Sequence, residues 1–559
     1  MKILRPRTIV IAAVSVFLLG LTLGSAAKNK GDNVIEDLAT FAKVVEKVKS
    51  YYVDDVDTHQ LIQDAIDAML ADLDPHSQYL SGLDYEDLKV NTEGMFGGLG
   101  IFISFKDNYP TVISGIEGTP ADRAGIQSGD QIIEIEGEST AGWVVEKTVR
   151  HLRGQPGTAV RFKVTRPGLG DPIEYSLIRE KINVESVTYS GMFGDVGYVK
   201  LSNFSKSTEQ ELHAALTDLE GQGMKSFVLD LRSNPGGLLQ AATGVSELFL
   251  DKDKLIVYTK GRYAQNNQKY YAGQTRKHTG YPIVVMVNGA SASASEIVAG
   301  ALQDWDAALV VGQTSFGKAT VQTVFSLSDS QAVKLTTARY YTPSGRSIHK
   351  DEKAGERELE TADAGSYPGD GRESVDMSKA DETTKSGGTS AVGKHAAVEA
   401  GADTSRPVFR TSSGRLVYGG GGITPDLEFE PQTYGELERR LERDQLFFTF
   451  ALNYSMKNKV PQNFEVTDAV LAQFKALLKE RNFEYEEKDF SGQSLDYVKK
   501  AILREVISKN YGRKAMYRAL LEKDPELQRV LELNAKAPTL DRMFSYVEKQ
   551  KGVKKASLQ

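Results

Sequence analysis

Asn288-Gly-Ala-Ser-Ala-Ser-Ala-Ser-Glu-Ile297 lies between a wholly apolar run, PIVVMV at 282–287, and an apolar helical pattern at 294–303. An apolar run without polar alternation suits a strand covered on both faces, so this segment reads as a tight strand-to-helix turn in an α/β layer. The same texture continues on both sides. GYVKL (197–201) precedes a helical pattern at 207–222, FVLDL (227–231) precedes one at 238–249, and ALVVG (308–312) follows. Residues 179–345 are therefore expected to alternate strands and helices. The turn itself has two readings. Ser293-Ala-Ser-Glu296 fits a capping box, in which hydroxyl and carboxylate satisfy the first N–H groups of the helix. A serine there is also presented at the carboxyl edge of the sheet, where α/β proteins place their sites. The N–H of Ala294, with the helix dipole behind it, would then face an oxyanion formed on an attacked carbonyl.

A nucleophilic serine needs a base. His59, His76, His151, His213, His278, His349 and His395 are scattered, and none sits in a catalytic-looking context. Ser315-Phe-Gly-Lys-Ala-Thr-Val-Gln322 offers Lys318 instead. Its small and apolar neighbours favour burial, which disfavours the ammonium and brings a neutral amine within reach near neutral pH. If 318–325 is extended, Lys318, Thr320 and Gln322 share one face, and Gln322 is placed to hold the lysine amine. Gly312-x-x-x-x-Gly317-Lys318 opens like a phosphate-binding loop. Ala319 stands where that loop requires Ser or Thr, and β-like residues follow where its helix should start, so that reading is excluded. Asp230-Leu-Arg-Ser-Asn-Pro-Gly-Gly237 adds a strand and a glycine turn. Either Gly236 or Gly237 can bring a second N–H to the oxyanion beside Ala294.

Of 559 residues, 68 are Lys or Arg, 75 are Asp or Glu and none is Cys, for a net charge of −7. Balanced charge argues against a nucleic-acid binder. The lack of cysteine excludes a disulfide scaffold, thiol nucleophiles, Cys-ligated zinc and iron–sulfur clusters. No cofactor or metal is implied. Residues 1–27 place Lys2, Arg5 and Arg7 ahead of an uncharged apolar stretch, Thr8 to Ala27, the pattern of a signal peptide or membrane anchor. The positive residues in front put 28–559 outside the cytoplasm, in the periplasm, soluble after cleavage or tethered to the inner membrane through 8–27.

Residues 28–91 read as a helical module. Val34, Leu38, Phe41, Val45, Val48 and Tyr52 recur at helical steps behind the N-cap candidates Asp32 and Asn33, and a second run stops at Asp74-Pro75. Residues 92–178 hold short β-like runs between glycines with one helical stretch at 143–152, which suggests a small β barrel. Residues 351–405 carry 13 acidic and 6 basic side chains and few large apolar ones, so a flexible polar insertion is expected. It divides the core at 179–350 from its return at 406–434, where Gly419 to Gly422 reads as a turn. Residues 435–559 are helical in pattern, for example Val470, Phe474, Leu477 and Leu478 behind the capping candidate Thr467.

SASASE (291–296), FGKATVQ (316–322), NPGG (234–237), GGLGI (97–101) and YGGGGITPD (418–426) together resemble the C-terminal processing, or tail-specific, serine proteases. The resemblance implies a multidomain α+β chain with a crotonase-like α/β protease core. It implies Ser293 as nucleophile, Lys318 as general base and Gln322 as its orienter, with Asp304 a further polar family position. It also implies that 92–178 is a PDZ domain in which Gly98, Leu99, Gly100 and Ile101 receive the terminal carboxylate of a substrate tail added at a sheet edge. Arg153, in LRGQPGT, falls where the family has a basic residue proposed to couple PDZ domain and active site; a structural salt bridge is the alternative. The implied partners are flexible C-terminal tails of exported proteins, with an adaptor or regulatory protein and a homo-oligomer left open. Two competing readings remain: an inactive PDZ scaffold, against which intact Ser293, Lys318 and Gln322 count, and acyl-CoA chemistry, which export disfavours.

Overall fold

The computed structural model describes residues 34–273, 277–350, 406–431 and 435–557. The signal peptide or anchor expected at 1–27, the N-cap candidates Asp32 and Asn33, and the insertion expected at 351–405 lie outside the described residues. Among those residues no helix is long and apolar enough to cross a membrane. The chain divides into two compact units, Met1–Tyr79 and Leu80–Gln559.

In the first unit, α1 (Val34–Tyr51) and α2 (Thr58–Ala71) follow the apolar periodicity. The Asp57 carboxylate caps α2 by accepting the N–H groups of His59 (2.9 Å) and Gln60 (3.3 Å). No residue of α1 is buried, and Val34, Leu38 and Phe41 on its apolar stripe stay exposed.

The second unit opens with α3 (Leu83–Glu93) and a β-rich domain. Its elements are β1 (Met95–Gly98), β2 (Ile101–Lys106), β3 (Tyr109–Gly115), β4 (Gln131–Ile135), α4 (Val145–Leu152), β5 (Ala159–Thr165), β6 (Ile173–Ile178) and β7 (Glu180–Asn183). Strands β2 to β6 follow one another in an antiparallel sheet over Leu99, Val112, Ile132, Val160, Phe162 and Val164, and β1 pairs with β7. That last ladder crosses the boundary expected at residue 178. In β7 only Ile182 is buried, so the strand carries almost no apolar signal.

The α/β core comprises β8 (Val187–Phe193), β9 (Val196–Leu201), α5 (Thr208–Gly221), β10 (Ser226–Asp230), α6 (Leu239–Glu247), β11 (Leu255–Gly261), β12 (Ile283–Val287), α7 (Ala294–Asp304), β13 (Leu309–Gly312), β14 (Thr320–Ser328), β15 (Gln331–Tyr341) and β16 (Leu427–Glu428). Its main sheet runs β8-β9-β10-β12-β13-β16, parallel from β9 onward. The chain thus returns after the insertion as an edge strand. A smaller sheet pairs β15 with both β11 and β14.

Downstream come α8 (Glu436–Arg443), α9 (Leu446–Lys457), α10 (Asp468–Glu480), α11 (Gly492–Leu521), α12 (Pro525–Lys536) and α13 (Leu540–Ser557). Thr467 caps α10 by accepting the Val470 N–H. The expected single helical domain at 435–559 proves to be two packing units. Helices α8 to α11 share a core of their own around Phe447, Phe450, Phe474, Ile502 and Val506, and α11 is two helical stretches meeting at Gly512. Helices α12 and α13 belong to the main sheet. Phe227, Leu229 and Val285 pack on the α5–α7 side, while Val228, Val284, Met286 and Val311 on the opposite face meet Leu527, Val530, Leu533, Met543 and Val547. A parallel sheet needs both faces covered, and the chain supplies the second cover at its far end.

Candidate active site

Strand β12 is buried throughout and ends at Asn288, where the chain turns sharply into α7, itself buried along its whole length. The turn is fastened to the segment after β10. Ser291 Oγ donates to Leu231 O (2.8 Å), Ser295 Oγ to Asn234 O (2.9 Å), and Asn288 Oδ1 accepts the Ser233 N–H (2.8 Å). Ser291 and Ser295 are fully buried by these ties, whereas Ser293 between them stays half-buried. Ser293 also sits at φ +53°, ψ −111°. Such a backbone costs a non-glycine residue on the order of 1–3 kcal/mol and persists only where surroundings over-determine it. Of the three serines, the structure leaves the middle one accessible and strained.

Two buried groups over-determine it, and both also grip Lys318. Glu296 Oε2 accepts the backbone N–H of Ser293 (2.9 Å) and of Lys318 (3.0 Å); Oε1 accepts the Gly317 N–H (2.8 Å) and Ser315 Oγ–H (2.5 Å). Burial pushes the Glu296 carboxyl up to about 7, against these four bonds, which favour the carboxylate. The buried Tyr340 hydroxyl lies between the carbonyls of Ser293 (3.1 Å) and Lys318 and shares its one proton between them. One carboxylate oxygen and one phenol thus fix the nucleophile candidate beside the lysine candidate. Ser315 is in turn held by the YGGGGITPD segment: Ile423 donates its N–H to Ser315 Oγ (2.6 Å), and a Cβ on Gly422 would fall 2.2 Å from Ser315 O. The glycine run is therefore more than a turn.

Lys318 is half-buried just ahead of β14. On the strand, Gln322 donates its Nε2–H to Thr320 Oγ1 (2.9 Å) and Thr336 Oγ1 (3.3 Å), which leaves Oε1 as the atom able to receive a lysine N–H. The glycine turn presses on the serine: a Cβ on Gly236 would lie 2.8 Å from Ser293 Cβ and from Ala294 N. One expectation is corrected here. The Gly236 N–H is bonded to Asn234 Oδ1 (2.9 Å) and is not free for an oxyanion. Gly237 is bridged to Phe204 only through its neighbours, the Phe204 N–H donating to Gly236 O and the Leu238 N–H to Phe204 O. Among the described residues neither the Gly237 N–H nor that of Ala294, first in α7, meets an acceptor.

Asp304 does not join this group. It closes α7, about 15 Å from the turn at 1.5 Å per residue, and forms a buried ion pair with Arg346 (2.9 Å) while accepting the Ser344 N–H (2.9 Å). It is a fastening for the 342–346 turn. Among the histidines, His213 and His278 pair with each other (2.7 Å) beside Glu220, whereas His349 lies on a segment that meets Gly317 through the Lys350 N–H (3.0 Å). The sequence alone placed no histidine near the lysine.

The β-rich domain keeps its glycine loop together. Leu99 anchors the loop in the core, Gly100 stands at φ +77° against Thr119, and the loop carbonyls are engaged, Leu99 O by Ala121 N (3.0 Å) and Gly100 O by Ile116 N (2.9 Å). The loop N–H groups of Leu99 and Gly100 meet no acceptor among the described residues, and Ile101 begins β2. Arg153 is ion-paired with Asp87 of α3 (2.5 Å), and the same helix reaches the core through Glu93 and Lys206 (2.6 Å).

A fold with a strained serine at the carboxyl edge of the sheet and a separate small β-rich domain with a glycine loop is that of a serine-type peptidase with a PDZ domain. Comparison with known proteins agrees. The peptidase family S41 model matches residues 195–355, a PDZ domain model 111–166, the C-terminal helical domain of probable PDZ-proteases 437–491, and the N-terminal domain of the activating protease CtpB 21–82. The carboxy-terminal-processing protease of Bartonella bacilliformis is 40% identical over 349 residues, covering 61% of this chain and 80% of that protein. The carboxy-terminal processing protease CtpA of Bacillus subtilis is 35% identical over 384 residues, 68% of this chain and 79% of that one. Among solved structures, a photosystem II D1 C-terminal processing protease aligns at 29% identity with a TM-score of 0.33, over 56% of this chain and 90% of that one. The chain belongs to the carboxy-terminal processing protease family.

Glu296 and Tyr340 are site residues that the sequence alone does not mark as such. Glu296 shows in the sequence only as half of a capping box, whose carboxylate takes the Ser293 N–H. Tyr340 gives no local signal.

Proposed function

We propose that the chain is an exported endopeptidase that captures flexible protein C-termini on its PDZ loop, Gly98 to Ile101, and cleaves them with Ser293 and Lys318. The observation that carries this reading is the shared grip of Glu296 and Tyr340 on the strained Ser293 and on Lys318. Ser293 Oγ attacks the scissile carbonyl as its proton passes to Lys318 Nζ, with Gln322 orienting the amine. The N–H groups of Ala294 and Gly237 receive the oxyanion. The C–N bond breaks as Lys318 returns the proton to the leaving amine, and an acyl-Ser293 ester remains. Water attacks the ester, gives a proton to Lys318, and Ser293 recovers its hydroxyl. The basic head and apolar stretch at 1–27 support a place outside the cytoplasm, in the periplasm, free or tethered at the inner membrane.

The test incubates the full-length protein with an unfolded reporter ending in an apolar free carboxylate or its amide, beside Ser293→Ala, Lys318→Ala and His349→Ala. Cleavage of the free acid by wild type and His349→Ala, with none by the other two, is expected. Activity is expected to rise with pH as the lysine loses its proton. Loss of activity in His349→Ala with retention in Lys318→Ala would move the base to the histidine.

A further inference from the structure

The PDZ sheet ends on β2, whose outer edge no strand of the sheet covers. This is the edge on which a tail entering at Gly98 to Ile101 would be laid. The two-residue turn Asp107–Asn108, with both residues at positive φ (51° and 68°), closes the hairpin on the pair Lys106–Tyr109. Pairs in an antiparallel ladder alternate, so Phe105, one residue in, turns its N–H and C=O to the open edge. The neighbouring strand has the same parity: Val112, opposite Ile103, bonds away from β2, to Asp130 O and the Gly129 N–H (2.8 Å each).

That outward carbonyl is already occupied. Gln445, the residue before α9, donates its Nε2–H to Phe105 O at 2.9 Å and to Ser104 Oγ at 2.8 Å. It does so from a left-handed backbone (φ +49°, ψ +36°), uncommon for a residue other than Gly, Asn or Asp, and its Oε1 is buried without a donor among the described residues. The helical domain is seated around this point. Lys509 Nζ donates to Ser128 O (2.7 Å), Arg513 lies over the Phe102 ring (4.9 Å to its centre), and Leu452 fills the space a Cβ on Gly129 would need. A side-chain amide standing where the N–H of an added strand would stand blocks further pairing there.

We propose that Gln445 is the far stop of the tail-binding edge and so determines how much of a substrate tail is read. The inference rests on the tail-reading function proposed above. Ile101 to Ser104 leaves about 13 Å of edge, at about 3.3 Å per residue, so a tail pairs through about its last four residues and then must leave the sheet.

The experiment measures binding of apolar peptides of four, six and eight residues, with free or amidated C-termini, to full-length Ser293→Ala protein by fluorescence anisotropy. With Gln445 present, the three free-acid lengths are expected to bind within about twofold of one another. In Gln445→Ala, and in Gln445→Asn, which keeps the left-handed backbone accessible but is one methylene too short to reach Phe105, the six- and eight-residue tails gain about two- to tenfold and the four-residue tail does not, as befits one or two recovered hydrogen bonds. Affinity that already climbs from four to eight residues with Gln445 in place overturns the stop. So does a Gln445 variant that shifts all lengths equally. Amides that bind as well as acids at every length bring down tail reading itself, a pattern seen without touching Gln445.

Discussion

Tyr340→Phe removes one oxygen and no packing volume of consequence, yet the hydroxyl it deletes is shared by the two residues proposed to do the chemistry. Ser293 O keeps the N–H groups of Glu296 (2.9 Å) and Ile297 (3.0 Å), so it remains satisfied. Lys318 O loses its hydroxyl donor in a site where Tyr340 is 0% exposed. One lost hydrogen bond in a buried site amounts to about 0.5–1.5 kcal/mol of stability. In kcat a loss of about tenfold is expected, about 1.4 kcal/mol of lost positioning, because the lysine segment is then held to the turn by Glu296 and by the Phe316 N–H on Ser291 O (3.0 Å) without the phenol. KM for the tail, on the function proposed above set in the PDZ domain, is expected to stay within about twofold. Urea unfolding and steady-state cleavage of the reporter measure both. Burial and the neighbouring Glu296 hold the phenol protonated well past its ordinary range, so the difference between variant and wild type is expected to be flat from about pH 6 to 9. A variant with wild-type stability and wild-type kcat would refute the view that this hydroxyl couples serine to lysine. A difference that grows across that pH range would show that it acts by ionising.

Glu296 predicts a pH dependence of the opposite kind. Its carboxyl is raised from 4.5 to about 7 by burial, so the folded chain holds a proton there that the unfolded chain has released. That contribution is fully present below about 4.5 and is lost as pH rises through about 7, a fall of about 3 kcal/mol; urea titrations are expected to show this slope in wild type and a flatter one in Glu296→Gln, and an unchanged slope in the variant would assign it to other groups. Gly236→Ala forces a Cβ to within 2.8 Å of Ser293 Cβ and Ala294 N at φ +101°. Cleavage is expected to fall at least about tenfold, equivalent to about 1.4 kcal/mol, while peptide binding to the PDZ domain is unchanged; full activity would mean the glycine turn does not set the position of the serine.

The layers of this molecule were legible where burial alone dictates the residue pattern. Strands β10, β12 and β13 are covered on both faces, and FVLDL, PIVVMV and ALVVG carry no polar alternation for that reason. What covers them was only half legible. Leu527, Val530 and Leu533 mark an amphipathic helix, but an apolar stripe does not name its partner, and α12 meets the sheet across most of the chain's length. The same limit hides the ladder that crosses residue 178. The β1–β7 ladder is made by backbone groups, and the side chains of β7 other than Ile182 face outward with no pattern to betray it.

In the site, the segments were visible and the ties between them were not. Strand-to-helix turn, glycine turn and lysine segment each show a local signature, because a turn needs small residues and a lysine base needs apolar neighbours. Which serine is strained and what Asp304 does depend on partners far along the chain: Asn234 for Ser295, Arg346 for Asp304, and Tyr340 for Ser293 and Lys318 together. Those ties explain why the positive φ at Ser293 can persist. Glu296 fixes its nitrogen, Tyr340 its carbonyl and Gly236 its Cβ side, from three separate stretches of chain. When one of three ties is loosened the serine shifts while the other two keep the turn in place, so loosening a single tie should cost catalysis before it costs the fold.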